Sequence, residues 1–187
     1  MSNLLSLPED LPVPEDDGAC RHLAGLRLGS IPLPSTAGRI VDLVALPGRT
    51  VVYCYPRTGR PGEPLPTGWD AIPGARGCTP EACSFRDHHA ALLATGAARV
   101  FGLSTQDSAY QREVVERLQL PFELLSDADL DFTHALRLPT FEVEGMTLLK
   151  RLTLIVRAGR IERDFYPVFP PDQHAAQVAA WLAQAAR

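Results

Sequence analysis

Two cysteines, Cys78 and Cys83, lie five residues apart in the segment GARGCTPEACSFRD, residues 74–87. If the residues between them were all helical, the two Cα atoms would be about 8–9 Å apart. A disulfide needs a Cα separation below about 7 Å, so the pair can be joined only after the first helical turns unwind. The spacing suits a redox cycle, in which one thiol is oxidised in the folded chain and the second joins it after local unfolding.

Two other interpretations of this pair stay open. Free cysteines are commonly buried as small apolar residues, and both could simply pack inside a helix. The pair could also contribute to a metal site. However, no further cysteine follows Cys83 at the spacing of a plant-type C-x4-C-x2-C iron–sulfur pattern, and we expect no metal there.

The residues after Cys78 predict the start of a helix that extends over residues 80–94. The Thr79 hydroxyl can cap the helix, and Pro80 suits the first turn, where its missing N–H costs nothing. Glu81 complements the positive helix end. Backbone N–H groups at such a position lower the pKa of a thiol from about 8.5 to roughly 3.5–7.5. Cys78 is therefore predicted to be a reactive thiolate.

The segment GCTPEACSFRD resembles the active-site segment of the Q-type peroxiredoxins, also called bacterioferritin-comigratory proteins. The match includes the glycine before Cys78, the threonine after it, the glutamate three residues after it and the FRD ending. It is supported over nearly the whole chain after residue 25. In that family the first cysteine is peroxidatic, and many members carry the resolving cysteine five residues later. The resemblance thus implies that Cys78 is peroxidatic and Cys83 is resolving.

The resemblance also supplies a catalytic cation. The pattern R-x-T-x-x-x-x-x-G-R-I, which begins at Arg151, resembles the peroxiredoxin segment that carries the active-site arginine. A guanidinium stabilises a nearby thiolate and the developing oxyanion of the leaving group. Glu81 is expected to orient Arg151, and Thr79 completes the set of candidate catalytic residues. Arg76, two residues before Cys78, is a second candidate cation.

Residues 56–77 form a segment that departs from the family pattern. The family has a proline seven residues before the cysteine and a threonine or serine three residues before it. Here Ala75 occupies the second position, and Pro56, the strand-ending proline, lies 22 residues before Cys78. The simplest account is an insertion of 15 residues. A long loop in a compact domain is usually functional or mobile, and we expect this one to narrow access to the site or dock a partner.

The candidates for the substrate pocket or its surroundings in this insertion segment are Pro56, Thr58 or Thr67, Trp69 and Arg76. Pro56 corresponds to the proline that shields the thiolate in the family. Thr58 or Thr67 could fold back to supply the missing hydroxyl. Trp69 either anchors the loop on the core or forms a wall of the pocket, since a buried indole provides a large apolar area.

The order of the predicted elements indicates a thioredoxin-like α/β sandwich, a central mixed sheet flanked by helices. Residues 1–24 are predicted to be an acidic N-terminal arm, followed by a single domain over residues 25–187. The predicted elements are a hairpin (26–33 and 39–46), a buried strand (49–56), the helix at Cys78, a strand (99–105), a helix (108–118), a strand (121–127), a helix (128–136), a hairpin (151–157 and 160–166) and a closing helix (172–185).

Composition and charge exclude several classes of protein. The net charge is −4 with no basic run, so nucleic acid is not an expected partner. No apolar run approaches the roughly 20 residues of a membrane helix, and the N-terminus lacks a signal-peptide pattern. Four cysteines are too few for a disulfide scaffold, so a cytoplasmic protein with reduced thiols is expected. Cys20, beside His22, gives only a weak metal signal, and Cys54 is a core residue or an additional resolving thiol.

The sequence therefore predicts a thiol peroxidase that reduces hydrogen peroxide and organic hydroperoxides. A thioredoxin-like reductant would recycle it, with no metal or organic cofactor, and the protein would be a monomer or a homodimer. Two alternatives stay open. A thiol–disulfide oxidoreductase of the same fold is disfavoured because there is no C-x-x-C motif. A non-catalytic redox sensor is favoured by the absent threonine before Cys78.

Overall fold

The computed structural model of this protein describes residue 4 and residues 6–185. The described residues form nine strands, β1–β9, and five α-helices, α1–α5, numbered along the chain. A five-stranded sheet forms the centre. In spatial order the strands are β5 (Leu124–Ser126), β4 (Ala97–Ser104), β3 (Arg49–Cys54), β8 (Leu152–Arg157) and β9 (Arg160–Phe165). The strands β5, β4 and β3 are parallel to one another, β8 is antiparallel to β3, and β9 is antiparallel to β8.

Helices cover both faces of this sheet. Along β3, Val51 and Tyr53 join the apolar cluster formed with α1, α3 and α5, whereas Val52 and Cys54 join the cluster formed with α4. This alternation is the period of two that a strand buried on both faces requires. The predicted helix-flanked α/β sandwich is thus confirmed. The helices are α1 (Cys78–Asp87), α2 (His89–Ala94), α3 (Ser108–Leu118), α4 (Asp131–Leu136) and α5 (His174–Ala185).

The helix predicted over residues 80–94 is divided in the structure. Its first part is α1, which starts two residues earlier than predicted, at Cys78. His88 separates α1 from α2, and its Nδ1 bonds to the Ser84 carbonyl oxygen at 2.9 Å. In α2, Leu92 is buried and Leu93 is 41% exposed. None of the described helices is long and apolar enough to span a bilayer.

The prediction that Thr79 caps this helix is wrong. The N-cap is Gly77, and no side chain provides a capping hydrogen bond. Gly77 has a φ of 104°, and a Cβ at this position would lie 2.4 Å from Cγ of Pro171 and 2.8 Å from Cδ2 of Leu7. Both the backbone conformation and the close packing therefore require glycine at the N-cap, which lies two residues before the predicted hydroxyl cap.

Three hairpins complete the fold. β1 (Pro32–Pro34) pairs with β2 (Ile40–Asp42) inside the hairpin predicted over residues 26–46, and the pair is shorter than predicted. β6 (Thr140–Val143) pairs with β7 (Met146–Leu149). The hairpin of β8 and β9 turns at Ala158 and Gly159, as predicted.

Residues 6–26 contain no helix or strand, yet part of this segment belongs to the core. Cys20 and Leu23 are buried in the apolar cluster on the α4 side of the sheet. Asp17 forms an ion pair with Lys150 at 2.7 Å and accepts a hydrogen bond from the Tyr166 hydroxyl at 2.9 Å. The N-terminal segment is therefore packed on the domain at these points, and the boundary at residue 24 stays a prediction.

We predict that Gly77→Ala lowers the free energy of unfolding by about 2 kcal/mol or more, since strained backbone and a collision with Pro171 act together. Urea unfolding measures this change. Gly62→Ala is the matched control, because Gly62 also has a positive φ, of 84°, but nothing lies within 4 Å of its Cβ position. Equal destabilisation by the two substitutions would mean that the close packing at Gly77 contributes nothing.

Candidate active site

The Cys78 sulfur lies at the first residue of α1 and is held by three groups. The Arg151 guanidinium donates a hydrogen bond to it through Nη2 at 3.3 Å, and the thiol in turn donates to the Ala75 carbonyl oxygen at 3.5 Å. The backbone N–H of Arg57 is a third partner. Cys78 is only 4% exposed. The sulfur is therefore enclosed by a cation and by polar backbone groups rather than by bulk water.

Arg151 is buried and immediately precedes β8. Its Nη1 forms an ion pair with Oε2 of Glu81, one turn along α1 from the sulfur. Its Nη2 also donates to the carbonyl oxygens of Gly74 at 3.3 Å and Arg76 at 3.2 Å. The last residues of the insertion therefore form a clamp of carbonyl groups that holds the guanidinium against the sulfur.

Glu81 is fully buried, and its pKa is raised to about 7 by burial, against the lowering effect of Arg151. One carboxylate oxygen, Oε1, has no hydrogen-bond partner among the described residues. Arg151 is thus the group that holds this carboxyl in place. The positive charge of Arg151 is shared between the Glu81 carboxyl and the Cys78 sulfur.

The environment of Cys78 corrects one expectation. The position at a helix N-terminus predicted a lowered thiol pKa, but burial raises the pKa of Cys78 above its ordinary value. Arg151 and the Arg57 N–H lower that pKa, whereas the Glu81 carboxylate raises it further. Exclusion of water outweighs the cation, because part of the charge of Arg151 is compensated by Glu81.

Cys83 lies inside α1 and is half-buried. Burial raises its pKa, while the guanidinium groups of Arg86 and Arg117 lower it. Arg86 is fixed across the helix surface by donating from Nη1 to the Leu118 carbonyl oxygen at 2.9 Å. Since α1 is continuous from Cys78 to Asp87, the two cysteine Cα atoms are about 8–9 Å apart and cannot be bonded without unwinding of the helix.

The other two cysteines lie on the opposite face of the sheet. Cys20 and Cys54 share the apolar cluster on the α4 side, whereas Cys78 belongs to the cluster on the α1 side. Burial raises the pKa of Cys20 to about 12 and that of Cys54 well above its ordinary value. All four cysteines are free thiols in this structure. Cys54 therefore packs as a core residue.

Trp69 combines the two functions considered for it. It packs with Val143 and Leu148 of the β6–β7 hairpin in a small apolar cluster, so it anchors the insertion. It also lines the small cavity at Cys78. Arg76, the second candidate cation, lines the same cavity and forms an ion pair with Asp70 at 3.3 Å.

The two threonines proposed as hydroxyl donors do not line this cavity. The Thr58 hydroxyl and N–H both bond to Oε1 of Gln106, at 3.1 and 2.9 Å. Thr67 is exposed and bonds through its N–H to Glu144 at 2.9 Å. Among the cavity-lining residues, Thr79 instead carries a side-chain hydroxyl. Pro56 is buried but is not a lining residue of this cavity.

Several groups of the site were not anticipated from the sequence. The Arg57 N–H follows directly after Pro56, and only the folded strand end brings it to the sulfur. Gln106, by contrast, is expected near the site, because polar residues at the carboxyl ends of strands line sites in open α/β sheets. It orders the start of the insertion by bonding Thr58. The proximity of Arg86 to Cys83 could have been predicted from the sequence, because residues three apart are neighbours on one face of a helix. In the described residues no three His, Cys, Asp or Glu side chains form a group that could hold a metal ion.

Comparison of the sequence with known proteins identifies relatives of this chain. A family model described as Redoxin matches residues 19–181. Peroxiredoxin Q, chloroplastic, of Gentiana triflora is 29% identical over 97% of this chain and 79% of its own length. The corresponding protein of Sedum lineare is 31% identical over 78% of this chain and 72% of its own length. Against Peroxiredoxin Q of Oryza sativa subsp. japonica, the chain spans 56% of the relative's length.

Solved structures show the same fold. Peroxidoxin BcpB from Mycobacterium tuberculosis superposes with a TM-score of 0.70 at 24% identity, over 89% of this chain and 99% of that one. The Xanthomonas campestris bacterioferritin comigratory protein, studied for its alkyl peroxide reduction activity, superposes with a TM-score of 0.65 at 21% identity, over 86% of this chain and 98% of that one.

The chain belongs to the redoxin family, whose model covers most of its length. Within that family it is a Q-type, bacterioferritin-comigratory-protein-like peroxiredoxin, and hence a thiol peroxidase.

We predict a pH-dependent stability that originates at Glu81. Its pKa is about 7 in the folded chain and 4.5 as a free carboxyl, so the folded state binds more protons between these values. The free energy of unfolding of the wild-type protein should therefore fall relative to that of Glu81→Gln as the pH rises from about 4.5 to about 7. Urea unfolding across this range measures the difference. A difference that is constant, or that changes in the opposite direction, would contradict the assignment, and Glu9→Gln at an exposed position should follow the wild type.

Proposed function

We propose that this peroxiredoxin reduces hydroperoxides with Cys78 as peroxidatic cysteine and Cys83 as resolving cysteine, and that a thioredoxin-like dithiol protein recycles it. The observation that carries the proposal is the contact of 3.3 Å between Arg151 Nη2 and the Cys78 sulfur at the start of α1. A cation aimed at a cysteine sulfur in a dry site stabilises the thiolate that the chemistry needs.

In the first step the Cys78 thiolate attacks the terminal oxygen of the hydroperoxide. The S–O bond forms as the O–O bond breaks, which leaves a sulfenic acid and an alkoxide or hydroxide that is protonated to alcohol or water. Arg151 stabilises the thiolate and the negative charge that develops on the leaving oxygen. Glu81 positions Arg151 through their buried ion pair.

In the second step the Cys83 thiolate attacks the sulfenic sulfur of Cys78. The S–S bond forms, and the hydroxyl group leaves as water after protonation. The helical separation of the two residues requires the first turns of α1 to unwind before this attack. Burial raises the pKa of Cys83, and the guanidinium groups of Arg86 and Arg117 act against that effect.

In the third step a dithiol reductant attacks the disulfide and carries away two electrons as its own disulfide. A thioredoxin-like protein is the reductant that the family implies. The three steps use sulfur and proton chemistry alone, and the proposal includes no metal or organic cofactor. We place the protein in the cytoplasm, where its four free thiols would be kept reduced between cycles. Its proposed oligomeric state is a monomer or a homodimer.

We predict that Cys78→Ser abolishes peroxide turnover, because the nucleophile is removed. Cys83→Ser should complete one fast turnover and then stall as a sulfenic acid or become overoxidised. Peptide-mapped mass spectrometry after about one equivalent of hydrogen peroxide, quenched within seconds, distinguishes these states. The wild type should show a Cys78–Cys83 disulfide.

Cys20→Ala is the control and should cycle like the wild type, since Cys20 lies on the other face of the sheet. Unmodified thiols in the wild type would overturn the proposed peroxidase. Normal cycling of Cys83→Ser with thioredoxin would leave the peroxidase intact and assign the resolving step to another thiol.

For Arg151→Met we predict a fall of about 10²–10³-fold in the rate constant of Cys78 oxidation, because a preorganised donor to the transition state is lost. Arg151→Lys should recover only part of the rate, since an ammonium keeps the charge but cannot contact Glu81 and the sulfur together. Stopped-flow single-turnover kinetics give these rates. Arg76→Met should have a smaller effect, and equal losses for Arg76 and Arg151 would contradict the assigned role.

A further inference from the structure

The cavity at the Cys78 sulfur is small. Its volume is about 10 Å³, which leaves room for about one water molecule. Its walls come from α1, from the insertion and from the N-terminal segment. The lining residues are Leu4, Arg57, Gly59, Leu65, Trp69, Arg76, Gly77, Cys78 and Thr79.

Two leucines from separate parts of the chain meet over Gly59. A Cβ at Gly59 would lie 3.2 Å from Cδ2 of Leu4 and 3.2 Å from Cδ2 of Leu65. The N-terminal segment and the insertion thus each contribute a leucine to the wall of the cavity, and we call Leu4 and Leu65 the leucine cover.

The remaining walls of the cavity are less able to move. Trp69 is fixed in the apolar cluster with the β6–β7 hairpin, and Thr79 is buried in the first turn of α1. Leu4 and Leu65 are only partly buried. Leu65 packs at the edge of the Trp69 cluster, and Leu4 lies in a segment without helix or strand. The cover is therefore the part of the wall that can be displaced at the lowest cost.

We propose that the leucine cover acts as a size filter that makes hydrogen peroxide the preferred substrate over bulky organic hydroperoxides. The inference rests on the proposed function, because it concerns access to the same sulfur. The cover does not change the reaction itself. The Cys78 thiolate attacks the terminal oxygen of ROOH, the S–O bond forms as the O–O bond breaks, and RO⁻ leaves and is protonated to ROH.

The selectivity follows from what each peroxide must displace. Hydrogen peroxide has only two heavy atoms and needs small shifts of the leucine side chains. A hydroperoxide with a branched or aromatic carbon group must wait for the cover to open, so its rate constant is reduced by the open fraction of the protein. The insertion, which is long and rich in proline and glycine, supplies one half of the cover, and the N-terminal segment supplies the other.

Single-turnover kinetics of full-length protein test this filter, with hydrogen peroxide and cumene hydroperoxide as the two substrates. In Leu4→Ala/Leu65→Ala the rate constant of Cys78 oxidation by cumene hydroperoxide should rise about tenfold or more, while that for hydrogen peroxide changes less than about twofold. Leu4→Ala alone is the second variant and should shift the ratio in the same direction. Val13→Ala, an exposed substitution later in the same segment, is the control and should keep the wild-type ratio.

The outcomes separate the filter from the proposed function. If hydrogen peroxide oxidises wild-type Cys78 but the ratio of the two rate constants is unchanged in both variants, the filter is wrong and the peroxidase stands. If hydrogen peroxide does not oxidise wild-type Cys78, the proposed function is overturned and the filter with it. Equal acceleration for both peroxides would also overturn the filter, because the cover would then limit access without regard to size.

Discussion

The buried guanidinium of Arg151 is the constraint on which the rest of the site depends. A fully buried charge costs several kcal/mol unless the protein replaces the lost water with good partners. Here the replacements are the Glu81 carboxyl, the carbonyl oxygens at the end of the insertion and the Cys78 sulfur. Two of these partners lie on α1 and the carbonyl oxygens lie at the end of the insertion, so α1, the insertion and the start of β8 must meet at one point. The same hydrogen bond that satisfies the buried Arg151 guanidinium therefore also fixes the position of the Cys78 sulfur.

This arrangement sets two requirements against each other. Enclosure keeps water away and strengthens the interaction of Arg151 with a developing negative charge. The same enclosure raises the pKa of the Cys78 thiol. The raised pKa of Glu81 partly offsets this effect of enclosure on Cys78. When Glu81 is protonated, its carboxyl no longer compensates the charge of Arg151, and that charge stabilises the Cys78 thiolate. The cysteine, the glutamate and the arginine are thus one electrostatic unit, in which the ionisation of each depends on the others.

Much of the fold could be predicted from the sequence, because it depends on local patterns. The grouping of Cys78, Glu81 and Arg151 could be predicted because it depends on specific motifs. The continuous β-branched and aromatic run at β3 predicted a buried strand. The resemblance to the Q-type peroxiredoxins pointed to Glu81, in the segment around Cys78, and to Arg151, in the R-x-T pattern, before the structure showed their contacts. The misplaced helix cap at Thr79 has a tertiary cause, since Pro171 and Leu7 leave no space for a side chain at Gly77. The insertion could not be predicted in detail, because its contacts to Gln106 and to the β6–β7 hairpin join residues far apart in the chain.

The packing of Gly77 connects the sulfur chemistry to both ends of the chain. Leu7 reaches this glycine from the N-terminal side, and Pro171, just before α5, reaches it from the C-terminal side. In the proposed cycle, unwinding of the first turns of α1 would remove both contacts at once. The oxidation state of the sulfur would then be conveyed to the segments around Leu7 and Pro171. A reductant that recognises those loosened segments would distinguish the oxidised enzyme from the reduced one by shape alone, before any thiol exchange begins.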